Sequence, residues 1–513
     1  MRFSAFLALL LSAAVSIAAD WPQRGRDPSR NMVADEKGLP TTCEPGTVKT
    51  TDRKATIDLS GAKNVKWATA LGGTTNSSPV IAGGRIIVGT NNDAPRDPKF
   101  VGDHSMLYCL DEATGKFLWQ LGVPKLSGGD KIDTSNPVGI CASAAIDATE
   151  GRVYVSTNRG DILCLDINGQ ANGNDGPFKD EGQYFAGPGK PPLPVGPADA
   201  DIIWRYDMRD ELGVYANQQF ASTVLLVGDR IYASTCNSRD WARHVPAPNA
   251  PALICLDKKT GKLLGQEASG ISKNTFFSNW SAPAYGKVGN QEMIIFGGGD
   301  GFCYAFDPAP VPGPDGTPIL KELWRFDANP PSHRMKDGKP IKYGGDDGPR
   351  EILATPVFHD GKVYAALGKD PEDSASPGCL SCIDASKTGD ITTSGKIWQS
   401  EKFATTSSTA SIVGDLLFIA DAAGYVYCFD ASTGKQYWKH DTEGKIWGGT
   451  LVADGKVWIG TEGGEVITLA AAKEKKELGT STFEGEIHAP PIAANGVLYI
   501  TTGAFLYAIT EHK

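Results

Sequence analysis

One short pattern recurs along nearly the whole chain, and repetition of this kind constrains the fold more than any other feature of the sequence. The pattern is an apolar pair after Ser or Ala, a Gly beside a basic or small residue, an alternating apolar run, then Gly-Thr. It stands as Ser78-Pro79-Val80-Ile81-Ala82-Gly83-Gly84-Arg85-Ile86-Ile87-Val88-Gly89-Thr90, as Thr355-Pro356-Val357 through Val363-Tyr364, and as Gly449-Thr450-Leu451 through Trp458-Ile459-Gly460-Thr461. Each copy reads as a tight hairpin of two strands. A second hairpin follows, as Leu107-Tyr108-Cys109-Leu110-Asp111 with Thr114-Gly115-Lys116 and Trp119, and again as Tyr427-Cys428-Phe429-Asp430 with Thr433-Gly434-Lys435 and Trp438. Here Asp and Thr cap turn amides, and Gly takes the positive-φ position without steric cost.

Four strands therefore make one unit. First strands are expected near Ser77, Cys141, Asn217, Trp280, Ile352, Thr406, Trp447 and His488, a spacing of roughly 55 residues. The fold class is all-β: an eight-bladed β-propeller of four-stranded antiparallel blades. The last unit, Pro490 to Glu511, supplies only three strands, and Val65-Lys66-Trp67-Ala68-Thr69 reads as its missing fourth, closing the ring and removing an exposed sheet edge. The expected organisation is a signal peptide at 1–19, an N-terminal extension at 20–63 and the propeller at 64–513. Six of the eleven Trp share one repeat position at the start of the fourth strand: Trp67, Trp119, Trp204, Trp324, Trp398 and Trp438. Rings there fill the gap between neighbouring blades.

Residues 2–19, RFSAFLALLLSAAVSIAA, place one Arg before an apolar stretch that ends in small residues, the order of a secretory leader cut after Ala18 or Ala19. A periplasmic or secreted protein is expected, and since no Cys follows the cut at once, lipid tethering by that route is not. No later segment reaches about 18 apolar residues without charge, which argues against a membrane span. Across 513 residues, 60 acidic side chains against 50 basic give a formal charge of -10, so a nucleic-acid backbone would be repelled. A monomer is expected.

The repeat resembles that of the quinoprotein (PQQ-repeat) β-propellers, a family that includes alcohol dehydrogenases and the outer-membrane assembly factor BamB. The resemblance covers 64–513 and is strongest at Cys109-Leu110-Asp111-Glu112-Ala113-Thr114-Gly115-Lys116-Phe117-Leu118-Trp119 and at Cys428 through Trp438, where the family usually has Ala-x-Asp-x-x-Thr-Gly and a docking Trp. Blades three and seven depart from it, with Leu264-Gly265 and Leu478. These motifs build blades and leave function open.

Five of the ten Cys, Cys109, Cys164, Cys255, Cys382 and Cys428, occupy one repeat position that Ala305 holds in blade four. Equivalent positions on packed sheets lie ~10 Å apart, beyond the ~7 Å reach of a disulfide, so these five read as small core residues. A structural bridge would have to come from Cys43, Cys141, Cys236, Cys303 and Cys379. Cys379 with Cys382 forms a CxxC with no His after it and no second CxxC, which gives little support to haem or zinc.

The loops between strands two and three and those joining successive blades share one face around the channel, the default place for a site. The first set contains Asn92, Asp93, Asn158, Arg159, Asn237, Arg239, Asp240, Asp300, Lys369, Asp370, Asp421 and Glu462. The second contains Asn76, Asn217, Gln219, Asn279, Trp280, Arg350, Glu351, Trp447 and His488. Trp241, Trp280 and Trp447 stand outside the docking position and could stack on a sugar or a quinone. His104, His244, His333 and His488 map to the same face, from four separate loops. Asp166 to Gly176 is rich in oxygen ligands and Gly but lacks EF-hand spacing and its closing Glu, and reads as a structured insertion. No GxSxG, HExxH or Walker-type sequence occurs. The segment Asp20 to Pro45, with Trp21-Pro22-Gln23-Arg24-Gly25, is expected along the outside of the ring.

The reading that follows is an exported binding or scaffolding module for a protein, a small molecule or a glycan, held on the loop face, with no cofactor. Its rival, implied by the resemblance, is a PQQ- and Ca²⁺-dependent dehydrogenase of alcohols or sugars. Asp240 or Asp300 would then be the base, with Asn217, Gln219, Arg239, Trp241, Asn279, Trp280, Arg350, Lys369, Asp370, Trp447 and His488 around the cofactor. Against it, the chain has no adjacent cysteines and no CxxCH.

Overall fold

The computed structural model describes residues 19–51, 54–125, 132–133, 138–217, 222–240, 242, 244–341, 349–369 and 376–511, with 132–133 and 216–217 described by their backbone alone. The leader at 1–19 thus lies, but for its last residue, outside the described residues. Among the described residues no helix is long and apolar enough to cross a membrane.

Eight four-stranded antiparallel sheets form the blades of the propeller, and in blades 3 and 4 the outermost strand also pairs in parallel with a short strand from a connection. Blade 1 runs outward from the channel as Val80–Ala82, Arg85–Asn91, His104–Asp111 and Phe117–Pro124. The innermost strands of blades 2 to 8 are Ala145–Asp147, Leu225–Val227, Ala284–Val288, Val357–His359, Ser411–Val413, Leu451–Ala453 and Ile492–Ala494, each a few residues beyond the start expected from the repeat. In blade 8 the outermost strand is Val65–Ala70, paired antiparallel with Phe505–Ile509, so the ring closes through a strand from the other end of the chain.

The repeated residues show how blades are joined. Four of the five repeat Cys, and Ala305, lie across the sheet from a docking Trp: Cys109 from Trp119, Cys164 from Trp204, Ala305 from Trp324, Cys382 from Trp398 and Cys428 from Trp438, each followed at once by a bulge, whereas Cys255 of blade 3 faces Gly265. A small residue is needed there because the indole lies over the turn of the next blade. The Nε1 of Trp119 donates to Ile167 O at 2.9 Å, that of Trp398 to Ala431 O at 3.0 Å and that of Trp438 to Ala472 O at 2.9 Å. The turns beneath Trp67 and Trp398 are held by the motif Asp: Asp111 Oδ1 accepts from the N–H and hydroxyl of Thr114, and Asp430 Oδ1 accepts the same pair from Thr433. The Thr114 hydroxyl holds the Asp111 carboxyl below its ordinary range, and the hydroxyls of Tyr437 and then Thr433 do the same for Asp430. All ten cysteines are free thiols, and the bridge left open among the other five does not form. In blade 7, where Trp is absent, the gap is filled from the N-terminal segment. A Cβ on Gly479 would stand 2.4 Å from Thr42 Cγ2, and Thr468 Oγ1 donates to Thr41 O.

Candidate ligand site in the axial channel

Of the segment expected along the outside of the ring, only the part at Thr41 to Cys43 lies against an outermost strand, that of blade 7. Residues 20–36 wind once around one end of the channel and bond every blade in turn. Trp21 exchanges both backbone hydrogen bonds with Ile81 of blade 1, Ile146 N of blade 2 donates to Pro22 O, and Leu226 N of blade 3 donates to Gln23 Oε1. Tyr285 N of blade 4 donates to Pro28 O, and Phe358 N of blade 5 to Ser29 O. Asn31 bridges Ile412 of blade 6 through both amide groups, Ala34 N donates to Val452 O of blade 7, and Gly496 N of blade 8 donates to Glu36 Oε2. The innermost strand of a propeller has an unpaired edge toward the channel, and this strap supplies the missing partners. At its centre Arg30 is fully buried and donates to the carbonyls of Arg24, Val224 and Pro283 at 2.8–2.9 Å.

Because the strap bonds the innermost strands next to their turns into the second strands, it closes the channel at that end. The opposite end opens on the loop face as a cavity of about 130 Å³. Its floor carries Arg24 of the strap. Its wall takes residues from all eight blades, most from one register position ahead of the innermost strand: Asn76, Cys141, Trp280, Leu353, Ser407, Trp447 and His488, joined by Thr223, Ala282, Thr355, Gly448 and Pro490.

Trp447 and His488 sit side by side, ring centroids 5.3 Å apart. Trp447 Nε1 donates to Glu462 Oε2 at 3.1 Å, Lys445 Nζ lies 4.5 Å over the indole, and His488 Nδ1 is 2.9 Å from Asn76 Oδ1. Trp280 packs edge-on against Phe277 at 5.4 Å, and its Nε1 is buried without a hydrogen-bond partner. Arg24 donates from Nη2 to Thr409 Oγ1 at 3.3 Å, while its Nε is buried without a partner and no carboxylate among the described residues lies within ion-pair distance. Burial lowers Arg24 to about 10, and burial with repulsion from Arg24 lowers Arg30 to about 9, so both stay charged at neutral pH and the floor is positive. The arrangement can stack a ring on indole and hold an anionic or hydrogen-bond-accepting group against a guanidinium.

Of the residues read from sequence as site candidates, the structure brings Trp280, Trp447, His488 and Asn76 to this cavity. Asn279 is occupied inside blade 4, its Nδ2 donating to Asn237 O and its Oδ1 accepting from Gly299 N. Asp300 is buried, accepting from Tyr304 Oη at 2.6 Å and Phe302 N at 3.1 Å, and burial lifts its carboxyl to about 7. Asp240 accepts from His244 N at 2.8 Å within its own loop. Arg239 Nε donates to Thr275 O, Arg350 is tied by its backbone to Asn329, and Lys369 by its backbone to Thr405. None of these lines the cavity. Asn217 is seen only as backbone pairing with Asp133, and Gln219, Trp241 and Asp370 lie outside the described residues. The four histidines do not gather; among the described residues the one cluster able to hold a metal is Asp166, Asp175 and Asp201. Arg24 escaped sequence reasoning because it lies outside the repeat, whereas Ser407 and Leu353 share the register of Trp280 and Trp447.

Fold and cavity together define an eight-bladed propeller with a blind axial pocket. The family described as outer membrane protein assembly factor BamB matches residues 25–173, 345–440, 376–477 and 422–510, more than half of the chain, and the chain belongs to this family of PQQ-repeat propellers. It is 32% identical over 87 residues to BamB of Nitrosomonas eutropha, 17% of this chain and 21% of that one. It is 30% identical over 141 residues to the quinohemoprotein alcohol dehydrogenase ADH IIB of Pseudomonas putida, 23% of this chain and 18% of that one. Each match thus spans about a fifth of the relative's length. In fold the chain is similar to BamB from Moraxella catarrhalis, with TM-score 0.54, 15% identity, and coverage of 87% of this chain and 99% of that one. It is likewise similar to a europium-containing methanol dehydrogenase, with TM-score 0.56, 12% identity, and coverage of 96% and 98%.

Proposed function

We propose that the chain is an exported binding module whose axial cavity takes a small ring-bearing ligand, its anionic or accepting group directed to Arg24 and its ring against Trp447 or Trp280. The observation that carries this is the lining itself: a guanidinium at the closed end with a hydroxyl but no carboxylate beside it, aromatic walls, and no carboxylate among the described residues that face the cavity. The same lining fits a dehydrogenase poorly. PQQ carries three carboxylates and works with Ca²⁺ and a carboxylate base. Among the described residues one Arg faces the cavity, the two candidate bases are held elsewhere, and no acidic side chain lines it for the metal. The matching family and its BamB relatives support a non-enzymatic role, and the apolar leader supports export to the periplasm or beyond.

The test is a titration of the mature protein, followed by indole fluorescence and calorimetry, with neutral hexoses, uronates, and PQQ with and without Ca²⁺. Binding of uronates in preference to neutral sugars, weakened about tenfold or more in Arg24→Gln and in Trp447→Ala, is the expected result, one such step being worth about 1.4 kcal/mol. Tight Ca²⁺-dependent PQQ binding would instead establish the dehydrogenase. Export is tested by N-terminal sequencing of protein from the periplasmic and culture fractions, where a new terminus at Ala19 or Asp20 is expected.

A further inference from the structure

We propose that the long connection between the third and fourth strands of blade 2 holds one hard divalent cation, Ca²⁺ in preference to Mg²⁺, through Asp166, Asp175 and Asp201. The site lies at the end of the ring away from the mouth of the axial cavity. Asp166 ends the third strand, Asp161–Asp166, Asp201 immediately precedes the fourth, Ile202–Asp207, and Asp175 belongs to the insertion between them.

Oxygens of the three carboxylates lie within 4.8 Å of one another. Asp201 has no exposed surface; its Oδ2 accepts from Asp175 N at 2.8 Å, and its Oδ1 is buried with no hydrogen-bond partner. Asp166, also buried, accepts from Asn168 N and pairs with Arg152. A fourth carboxylate, the buried Glu181, stands nearby with its oxygens on Asn174 Nδ2 and Ile202 N. The neighbouring Lys179 donates to the Asn174 and Asp175 carbonyls and to the Asn174 side chain. Arg152 is therefore the one cation paired with any of these four acids among the described residues.

Comparison between blades makes the excess of acid specific to this place. In blades 1, 3 and 6 the Asp equivalent to Asp166 has its Oδ1 occupied by the N–H and hydroxyl of a Thr and stands beside an ordinary tight turn. Blade 2 replaces that turn with an insertion that brings in Asp175 and Asp201 and leaves a carboxylate oxygen buried and unused. An orphaned buried carboxylate among like charges is costly, and a cation reverses the cost. Ca²⁺ takes oxygen ligands at 2.3–2.6 Å, so donors across its shell stand up to about 5 Å apart in flexible geometry, whereas Mg²⁺ demands a strict octahedron about 4 Å across.

Calorimetry and thermal melting of the metal-stripped full chain, titrated with CaCl2 or MgCl2 and with no organic ligand present, test the site. The expected result is one Ca²⁺ per chain and a melting midpoint raised by about 2 °C or more at 100-fold excess over Kd. Asp175→Asn, at an exposed side chain, weakens Ca²⁺ binding about tenfold or more and leaves the metal-free midpoint within about 1 °C. Asp201→Asn raises the metal-free midpoint, by removing a buried like charge, and abolishes the Ca²⁺ response; a plain structural role for Asp201 does not couple those two readouts. Absence of heat and of any shift up to about 10 mM Ca²⁺, equal affinity for Mg²⁺, or Ca²⁺ binding that survives both substitutions overturns the proposal.

Discussion

Gly115 lies directly beneath the indole of Trp67: a Cβ on this glycine would stand 2.5 Å from Trp67 Cε3, and its φ of +68° belongs to the left-handed region. The Trp67 Nε1 also donates to Glu112 O at 3.3 Å, so the strand that completes blade 8 is fastened to blade 1 through one ring and one turn. Gly115→Ala therefore meets both a backbone penalty and a clash with a large ring. A loss of about 2–4 kcal/mol is expected, read as a lower denaturant midpoint, whereas Gly84→Ala, with positive φ but open space around it, should cost about 1 kcal/mol. Equal losses at the two glycines would contradict the role given to the Trp67 contact.

Arg30 should matter more than any other side chain of the strap. Replacing it with Met keeps the volume but leaves the carbonyls of Arg24, Val224 and Pro283 without their donor. Each orphaned carbonyl costs about 1–3 kcal/mol. Hydrogen exchange should then quicken first at the amides of Ile81, Ile146 and Val452, which the strap protects. Uniform quickening over all blades would mean that the strap is not a separate unit.

The Asp300 carboxyl sits at about 7 in the fold against 3.8 as its ordinary value. The native state thus holds this proton more tightly than the unfolded chain, so the contribution to stability is complete below about pH 4 and is lost as pH rises toward 7. Asp300→Asn removes that loss. Its melting midpoint should match the wild type at about pH 4 and exceed it increasingly up to about pH 7 and beyond; a constant offset across the range would rule out this titration.

Burial raises the thiols of Cys164, Cys255, Cys382 and Cys428 to about 12, and those of Cys109 and Cys303 further. Thiolate is the reactive form, so these groups should be inert to a thiol reagent at pH 8 in the native protein. After denaturation without reductant, all 10 cysteines should titrate. A count lower by an even number would reveal disulfides.

What was legible in the sequence is what the repeat imposes. Eight starts, the docking indoles and the role of Val65–Ala70 in blade 8 follow from periodicity, because each blade solves the same packing problem with the same residues. Periodicity also placed Trp280, Trp447 and His488 at the channel mouth, since the wall is built from one register position in successive blades. It could not separate them from Asn279 and Asp300, which have the same polar hairpin-end character but spend their oxygens on Gly299 N and Tyr304 Oη. Nor could it reach the strap. Arg24 and Arg30 occur once, and their partners are main-chain groups of distant blades, to which a sequence pattern is blind. The acid cluster was half visible: the run Asp166 to Gly176 holds two of its carboxylates but read as a structured insertion, because Asp201 meets them only where that insertion folds back and no fixed spacing marks it.

The strap has a consequence for the order in which the molecule can be assembled. Glu36 leaves the ribosome early, yet the amide it accepts from, Gly496, follows it by 460 positions. Until nearly all of the chain has emerged, the early segment has only part of its circle of partners, and the nascent blades keep raw inner edges. The ring can therefore close only with the last blade to appear, which both completes the wall and lets the first-made segment settle as the floor.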